Sequence, residues 1–259
     1  LYDDPYLIGW MTVTANMSDL AAVGANPIGI LISEVFPDAL SQEWISELQR
    51  GIEEACEACG TFVLGGDTNS GKQLLLSGCA IGTADQTKLL TRIGATPGDH
   101  LYATGILGKG NAFALNHYLN HGNGTDLSFA YQPSARLREG QSIAGIGSVC
   151  MDTSDGTLAT LDQLMRLNHV GFELNSNIES LLHPEAKLIA DAANIAPWLL
   201  LAGHHGEFEL LFTVSPGNEL NLLRAAEQAH WQPLYLGVVI PPEEIRLPLY
   251  DQMVRIDTG

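Results

Sequence analysis

Thr61-Phe62-Val63-Leu64-Gly65-Gly66-Asp67-Thr68-Asn69-Ser70-Gly71-Lys72-Gln73-Leu74-Leu75-Leu76 is the stretch on which the reading of this chain turns. Residues 61–64 have the β-branched and aromatic character of a strand, and residues 74–81 read as another. Between them, residues 65–71 read as a turn rich in Gly, Asp and Asn. Residues 66–72 also fit the phosphate-loop spacing G-x-x-x-x-G-K. Three features argue against that loop. Gln73 lacks the hydroxyl that would hold Mg²⁺, a strand follows where a helix N-terminus should cradle phosphate, and Asp67 sets a carboxylate inside the phosphate nest. The expectation is strand, turn and strand, with a carboxylate that tolerates phosphate only through a cation.

The same alternation continues outward. Asn16, Ser18 and Asp19 read as candidate N-caps for a short helix over residues 20–23, closed by Gly24 and Pro27. Residues 28–35 read as a buried strand. Ser41 then caps a helix whose apolar positions are Trp44, Ile45, Leu48, Ile52 and Ala55, and Gly60 ends it. The turn-rich connector Gly94-Ala95-Thr96-Pro97-Gly98-Asp99 divides the chain into expected domains at 1–96 and 97–259. Beyond it come a strand at 101–104, helices at about 111–119 and 134–146 with a loop at 121–126 between them, and a strand ending at Asp152. Ser154-Asp155-Gly156 opens a helix through Leu158, Leu161, Leu164, Met165 and Leu167. Later strands are expected at 172–174, 208–214 and 234–239. Strands alternating with helices mean α/β or α+β layers.

Composition narrows the function. Of 259 residues, 12 are Lys or Arg and 30 are Asp or Glu, a net charge of −18 that disfavours nucleic acid and anionic membranes as partners. With 46% apolar and 16% charged residues the chain is a folded protein and not an acidic tail. No apolar run reaches the ~20 residues of a membrane helix. Four cysteines and no secretory leader point to a reducing, cytoplasmic setting. Cys56-Glu57-Ala58-Cys59 has redox or zinc spacing but no partner pair, so packing is its expected role. His204 and His205 beside Glu207 offer at most one metal-donor site, since adjacent side chains diverge on a strand. The carboxylates at turns say more. Asp19 follows Ser18, Asp67 lies between Gly66 and Thr68, and Asp155 lies between Ser154 and Gly156. One such pair is an ordinary cap or turn, whereas three point to carboxylates that hold phosphate through Mg²⁺.

Asn16-Met17-Ser18-Asp19-Leu20-Ala21-Ala22-Val23-Gly24-Ala25 resembles the N-x-S-D-L-A-A-M-G-A signature of thiamine-monophosphate kinases, within the PurM-like superfamily of aminoimidazole-ribotide synthetase. Leu64-Gly65-Gly66-Asp67-Thr68 resembles its G-G-D-T element, and residues 92–99 its crossing into the second domain. Residues 104–108 resemble a T-G-x-L-G turn, residues 133–136 P-x-x-R, and residues 152–156 D-x-S-D-G. The resemblance implies a two-domain α/β architecture whose N-terminal domain binds ATP and dimerises through its sheet. It implies ATP- and Mg²⁺-dependent phosphoryl transfer to a phosphorylated small molecule, thiamine monophosphate first of all. Asp19, Asp67 and Asp155 would be metal ligands. Asn16, Ser18, Gly65, Gly66 and Thr68 would shape the nucleotide site, Ser154 and Asp155 would act on the acceptor side, and Glu207 and Glu209 would face substrate. The alternatives are another ATP-dependent activity of the superfamily, such as selenophosphate synthesis or hydrogenase maturation, or a nucleotide-binding relative without turnover.

Departures from that pattern are specific. The family's G-G-E-D-Y-E-L-L-F reads His204-His205-Gly206-Glu207-Phe208-Glu209-Leu210-Leu211-Phe212 here, and Thr160 stands where an Asp is usual after D-x-S-D-G. Leu1 is expected to fall inside the first domain, after a segment that supplies further acidic ligands, and the family's aromatic tail is not seen before Gly259.

Overall fold

A computed structural model describes residues 4–121, 130–174, 177–249 and 252–256. Its N-terminal part begins with helix α1 (Pro5–Ala22), capped by Asp4, whose side chain accepts from the Tyr6 amide. Strand β1 (Asn26–Pro37), helix α2 (Gln42–Ala58) and strands β2 (Val63–Gly71) and β3 (Leu75–Thr83) follow. They form a three-stranded sheet in the order β2-β1-β3, with β2 parallel and β3 antiparallel to β1. Ser41 caps α2 and Gly60 takes a left-handed φ of 64° just beyond it, both as read from the sequence. The two helices cross backbone against backbone. A methyl at Gly9 would lie 2.1 Å from the Leu48 carbonyl oxygen, and one at Gly51 2.0 Å from that of Tyr6.

Two expectations change here. Residues 65–71 are not a turn but the body of β2, where Gly66, Asp67 and Thr68 pair in register with Ile32, Ser33 and Glu34. Parallel pairing to β1 overrides their turn-forming composition. Likewise Asn16, Ser18 and Asp19 cap nothing. They lie inside α1, an 18-residue helix held by the buried side of Leu7, Trp10, Val13, Met17 and Ala21. The strand after Gln73 is present as β3, so no helix follows the G-x-x-x-x-G-K spacing.

Beyond the connector at 84–99 lie strand β4 (His100–Ala103), helices α3 (Lys109–His121) and α4 (Leu137–Ile143), strand β5 (Val149–Asp152) and helix α5 (Thr157–Asn168). Strand β6 (Gly171–Leu174), helices α6 (Ile178–Leu181) and α7 (Pro184–Ala192), strand β7 (Leu210–Val214), helix α8 (Glu219–Gln228) and strands β8 (Leu234–Ile240), β9 (Ile245–Leu249) and β10 (Gln252–Ile256) complete the description. The helix expected over 134–146 is the shorter α4. Of the loop expected at 121–126, residues 122–126 lie outside the described residues.

These strands make a seven-stranded sheet in the order β10-β9-β6-β8-β4-β7-β5. Its central strands are covered on both faces, and the strand alternation sorts the side chains. Leu101, Ala103, Val149, Met151 and Leu211 join a core with α3, α5 and α7. Tyr102, Cys150, Leu210, Phe212 and Val214 turn the other way and share a core with α1, α2 and β1. Helix α1 is therefore packed between the small sheet and the large one, where residues of both can meet. Among the described residues, no helix is long and apolar enough to cross a membrane.

Candidate active site

The fold brings two motifs together through α1. Trp10 Nε1 donates to the Pro133 carbonyl at 2.6 Å, which pins residues 133–136 onto the helix. Further along α1, the buried Ser18 hydroxyl meets the end of β5. There Asp152 is only 1% exposed, and neither of its carboxylate oxygens has a hydrogen-bond partner. The Ser18 hydroxyl is orphaned in the same way. Burial pushes the Asp152 carboxyl above its ordinary range and the charge of Asp19 pushes it further, while the nearby Ser18 and Ser154 hydroxyls and Arg92 oppose the shift. A buried carboxylate with hydroxyls nearby but no hydrogen bond of good geometry, beside a second carboxylate, is a group whose ionised form asks for a cation.

The candidate ligands are distributed around this point. Asp19 is exposed on α1, next to Asp152. Asp155 is exposed at the turn before α5 and lines a cavity of about 660 Å³ with His204, Asp162, Arg166 and Trp198. Asp67 is exposed on β2, where its Oδ2 accepts from Asn69 Nδ2 at 2.7 Å. Among the described residues, no three His, Cys, Asp or Glu side chains converge as a ready-made cage. That suits Mg²⁺, which takes one or two carboxylates and completes its octahedron with water and phosphate oxygens. Asn16 lies against Gly78 of β3 and donates to the Thr12 carbonyl at 2.8 Å. Thr68 turns its hydroxyl inward to the buried Glu34, at 3.2 Å, and Gln49 donates to the same carboxylate at 2.8 Å.

A smaller cavity of about 290 Å³ lies beside the Pro133 element, lined by Gly105, Lys109, Arg136, His183, Glu207 and Glu209 among others. Both glutamates are already engaged. Glu207 accepts from the Gly108 amide at 2.6 Å and the Lys109 amide at 3.1 Å, so it caps α3 in place of a side chain of the preceding turn. Burial pushes its carboxyl up to about 8, against the pull of those amides. Glu209 accepts from Arg136 Nε at 2.9 Å, from Arg136 Nη2 and from the Thr104 hydroxyl at 2.6 Å. Its backbone is tied to Thr153, whose hydroxyl accepts from the Glu209 amide at 3.1 Å. Glu209 thus links the glycine turn, the Arg136 element and the 152–156 turn. Phe208, between the two glutamates, sits at a left-handed φ of 58° and is buried, a strained conformation.

His204 and His205 part company, in a loop and not on a strand. His204 lines the larger cavity, and His205 lies against the Phe113 and Tyr131 rings. Cys56 and Cys59 pack at the end of α2, and burial raises both thiols to about 11, which keeps them protonated and unreactive. Asp152 is the residue of this group that the carboxylate-at-a-turn pattern does not pick out. Its signal was the first position of D-x-S-D-G, disguised because it ends a strand.

A family model described as AIR synthase related protein, N-terminal domain, matches residues 1–84. A protein of Methanospirillum hungatei named thiamine-monophosphate kinase is 32% identical over 217 residues, which cover 83% of this chain and 70% of that one. The solved structure of tt0281 from Thermus thermophilus is 30% identical with a TM-score of 0.82, covering 93% of this chain and 78% of that one. AaThiL complexed with AMPPCP and TMP superposes with a TM-score of 0.79 at 22% identity, covering 98% and 81%, a likeness of fold.

Proposed function

The chain belongs to the thiamine-monophosphate kinase family, and from that premise we propose that it transfers the terminal phosphoryl group of ATP to thiamine monophosphate with Mg²⁺. The observation that carries the metal is the buried, unpartnered carboxylate of Asp152 beside Asp19. Asp152 and Asp19 would hold one ion, and Asp67 and Asp155 would contribute where phosphate oxygens complete the coordination. When bound, Mg²⁺ neutralises the phosphate charge that these carboxylates would otherwise repel.

The chain's own groups bind and orient. Ser18 and Ser154 lie beside Asp152, where the cation would sit, and the backbone of β2 at Gly65 and Gly66 would give a nucleotide close access. Arg136, whose fork is spent on Glu209, lines the smaller cavity as a fixed positive charge. The larger cavity beside Asp155 is the place for the acceptor. Phosphoryl transfer needs such positioning more than a strong base. Glu207 and Glu209 serve in this reading as supports for Gly108 and Arg136 and not as direct substrate contacts.

The functional unit we infer has an N-terminal domain to about residue 96 and a larger domain from 97 to 259, and it works as a homodimer in the cytoplasm. Asp152→Asn is the test. Replacing an uncompensated buried charge by an amide should raise the melting temperature by about 2–4 °C while Mg²⁺-dependent turnover falls at least about a hundredfold. A variant with wild-type turnover removes Asp152 from the site. Binding of Mg²⁺ and ATP by the wild type without phosphate transfer would favour the nucleotide-binding relative without turnover.

A further inference from the structure

Thr160 is fully buried one turn inside α5, and its hydroxyl lies 3.0 Å from the Gly156 carbonyl oxygen and 3.0 Å from that of Asp152. Return of a threonine hydroxyl to the carbonyl four residues back is ordinary on a helix. The second acceptor is not. Asp152 is the last residue of β5, so the hydroxyl reaches out of the helix and spans the whole turn between strand and helix. That turn carries Ser154 and Asp155. Its start is tied to the strand beyond, since the Thr153 amide donates to the Glu209 carbonyl at 2.8 Å, and the Gly156 amide closes it on the Thr153 carbonyl at 3.0 Å. Gly156 takes a φ of 93°, and a methyl there would lie 2.0 Å from the Gly203 carbonyl oxygen, so the turn has no slack at its exit.

We propose that Thr160 is a positioning residue whose hydroxyl, shared between the carbonyls at both ends of the 152–156 turn, fixes Ser154 and Asp155 for the reaction without touching substrate. A carboxylate at 160 would aim negative oxygens at two carbonyl oxygens, so this geometry is available to a hydroxyl and not to an aspartate. The catalytic part of the proposal rests on the phosphotransfer reading, whereas the structural part does not.

Thr160→Val removes the hydroxyl at nearly constant shape, and Thr160→Ser retains it. Amide hydrogen exchange of the full chain should show the 152–156 turn of Thr160→Val exchanging about tenfold faster or more, with the small sheet unchanged. The kcat for ATP and thiamine monophosphate should fall by about 10–100-fold with KM for ATP kept within about twofold, and Thr160→Ser should restore both readouts. Wild-type exchange in Thr160→Val, or an equal loss in Thr160→Ser, overturns the proposal. Thr160→Ala gives the same exchange comparison should the valine variant not fold. If the wild type transfers no phosphate, the phosphotransfer reading fails, and the exchange of the turn still decides the role of Thr160.

Discussion

Glu207 shows how the surroundings of one carboxylate add a role that the sequence does not display. As an acidic residue in a stretch related to a kinase motif it looks like a substrate contact, yet its oxygens are spent on the Gly108 and Lys109 amides. Its pH signature follows from burial. The folded carboxyl is pushed from 4.5 up to about 8, so the folded state holds a proton that the unfolded chain has released. The associated stability is fully present below about pH 4.5 and is lost as pH rises through about 8. The unfolding free energy of the wild type, from denaturant titration, should therefore decline across that window by an amount on the order of a few kcal/mol. Glu207→Gln, which cannot titrate, should flatten this decline. A slope that survives the substitution would assign it to another group.

At the scale of elements, what was legible depended on whether local chemistry and tertiary pairing agreed. Around α2 they agree, because Ser41 supplies a cap oxygen, the apolar spacing faces one side and Gly60 provides the left-handed stop. Around β2 they conflict. Gly65, Gly66, Asp67 and Asn69 favour a turn by themselves, and only the ladder to β1, supplied from outside the segment, makes them a strand. Helix α1 misled for a related reason, since Asn16, Ser18 and Asp19 resemble caps while their neighbours bury a continuous face. The motifs were visible, but the approach of Ser18 to Asp152 was not, since it joins two distant parts of the chain. The α1–α2 crossing sets that approach. Gly51→Ala would drive a methyl to 2.0 Å from the Tyr6 carbonyl oxygen and push α1 aside. We expect a loss of about 1–3 kcal/mol in denaturant unfolding, accompanied by reduced turnover because α1 carries Asn16, Ser18 and Asp19. Unaltered stability would mean that the crossing yields more easily than its backbone contacts indicate.

Across the whole molecule, the net charge of −18 coexists with an apolar sheet face that faces outward. Leu31, Leu75 and Ile81 are 41%, 60% and 39% exposed, and the strand register puts them on one side together with Cys79 and Asp67. Exposed apolar area of that kind is characteristic of an interface. A second copy covering it would bring Asp67 to the edge of the contact, near the nucleotide. Leu31→Glu should then convert a dimer to a monomer in sedimentation velocity, with the melting temperature of the monomer little changed. A wild type that sediments as a monomer at micromolar concentration would exclude the homodimer.

Strand β4 has an order-of-assembly consequence. It lies between β7 and β8, both far along the chain from it, and the Thr104–Glu209 bond alone closes a separation of 105 residues. Contacts this distant form late, after the entropy of large loops has been lost. During synthesis β4 waits for β7 to close one of its edges and for β8, past residue 234, to close the other. Arg136 and the 152–156 turn are tied to Glu209, and Asp152 pairs with Leu210, so they are fixed once β7 is in place. A chain stalled before residue 209 therefore displays the first motifs of the site yet cannot assemble it.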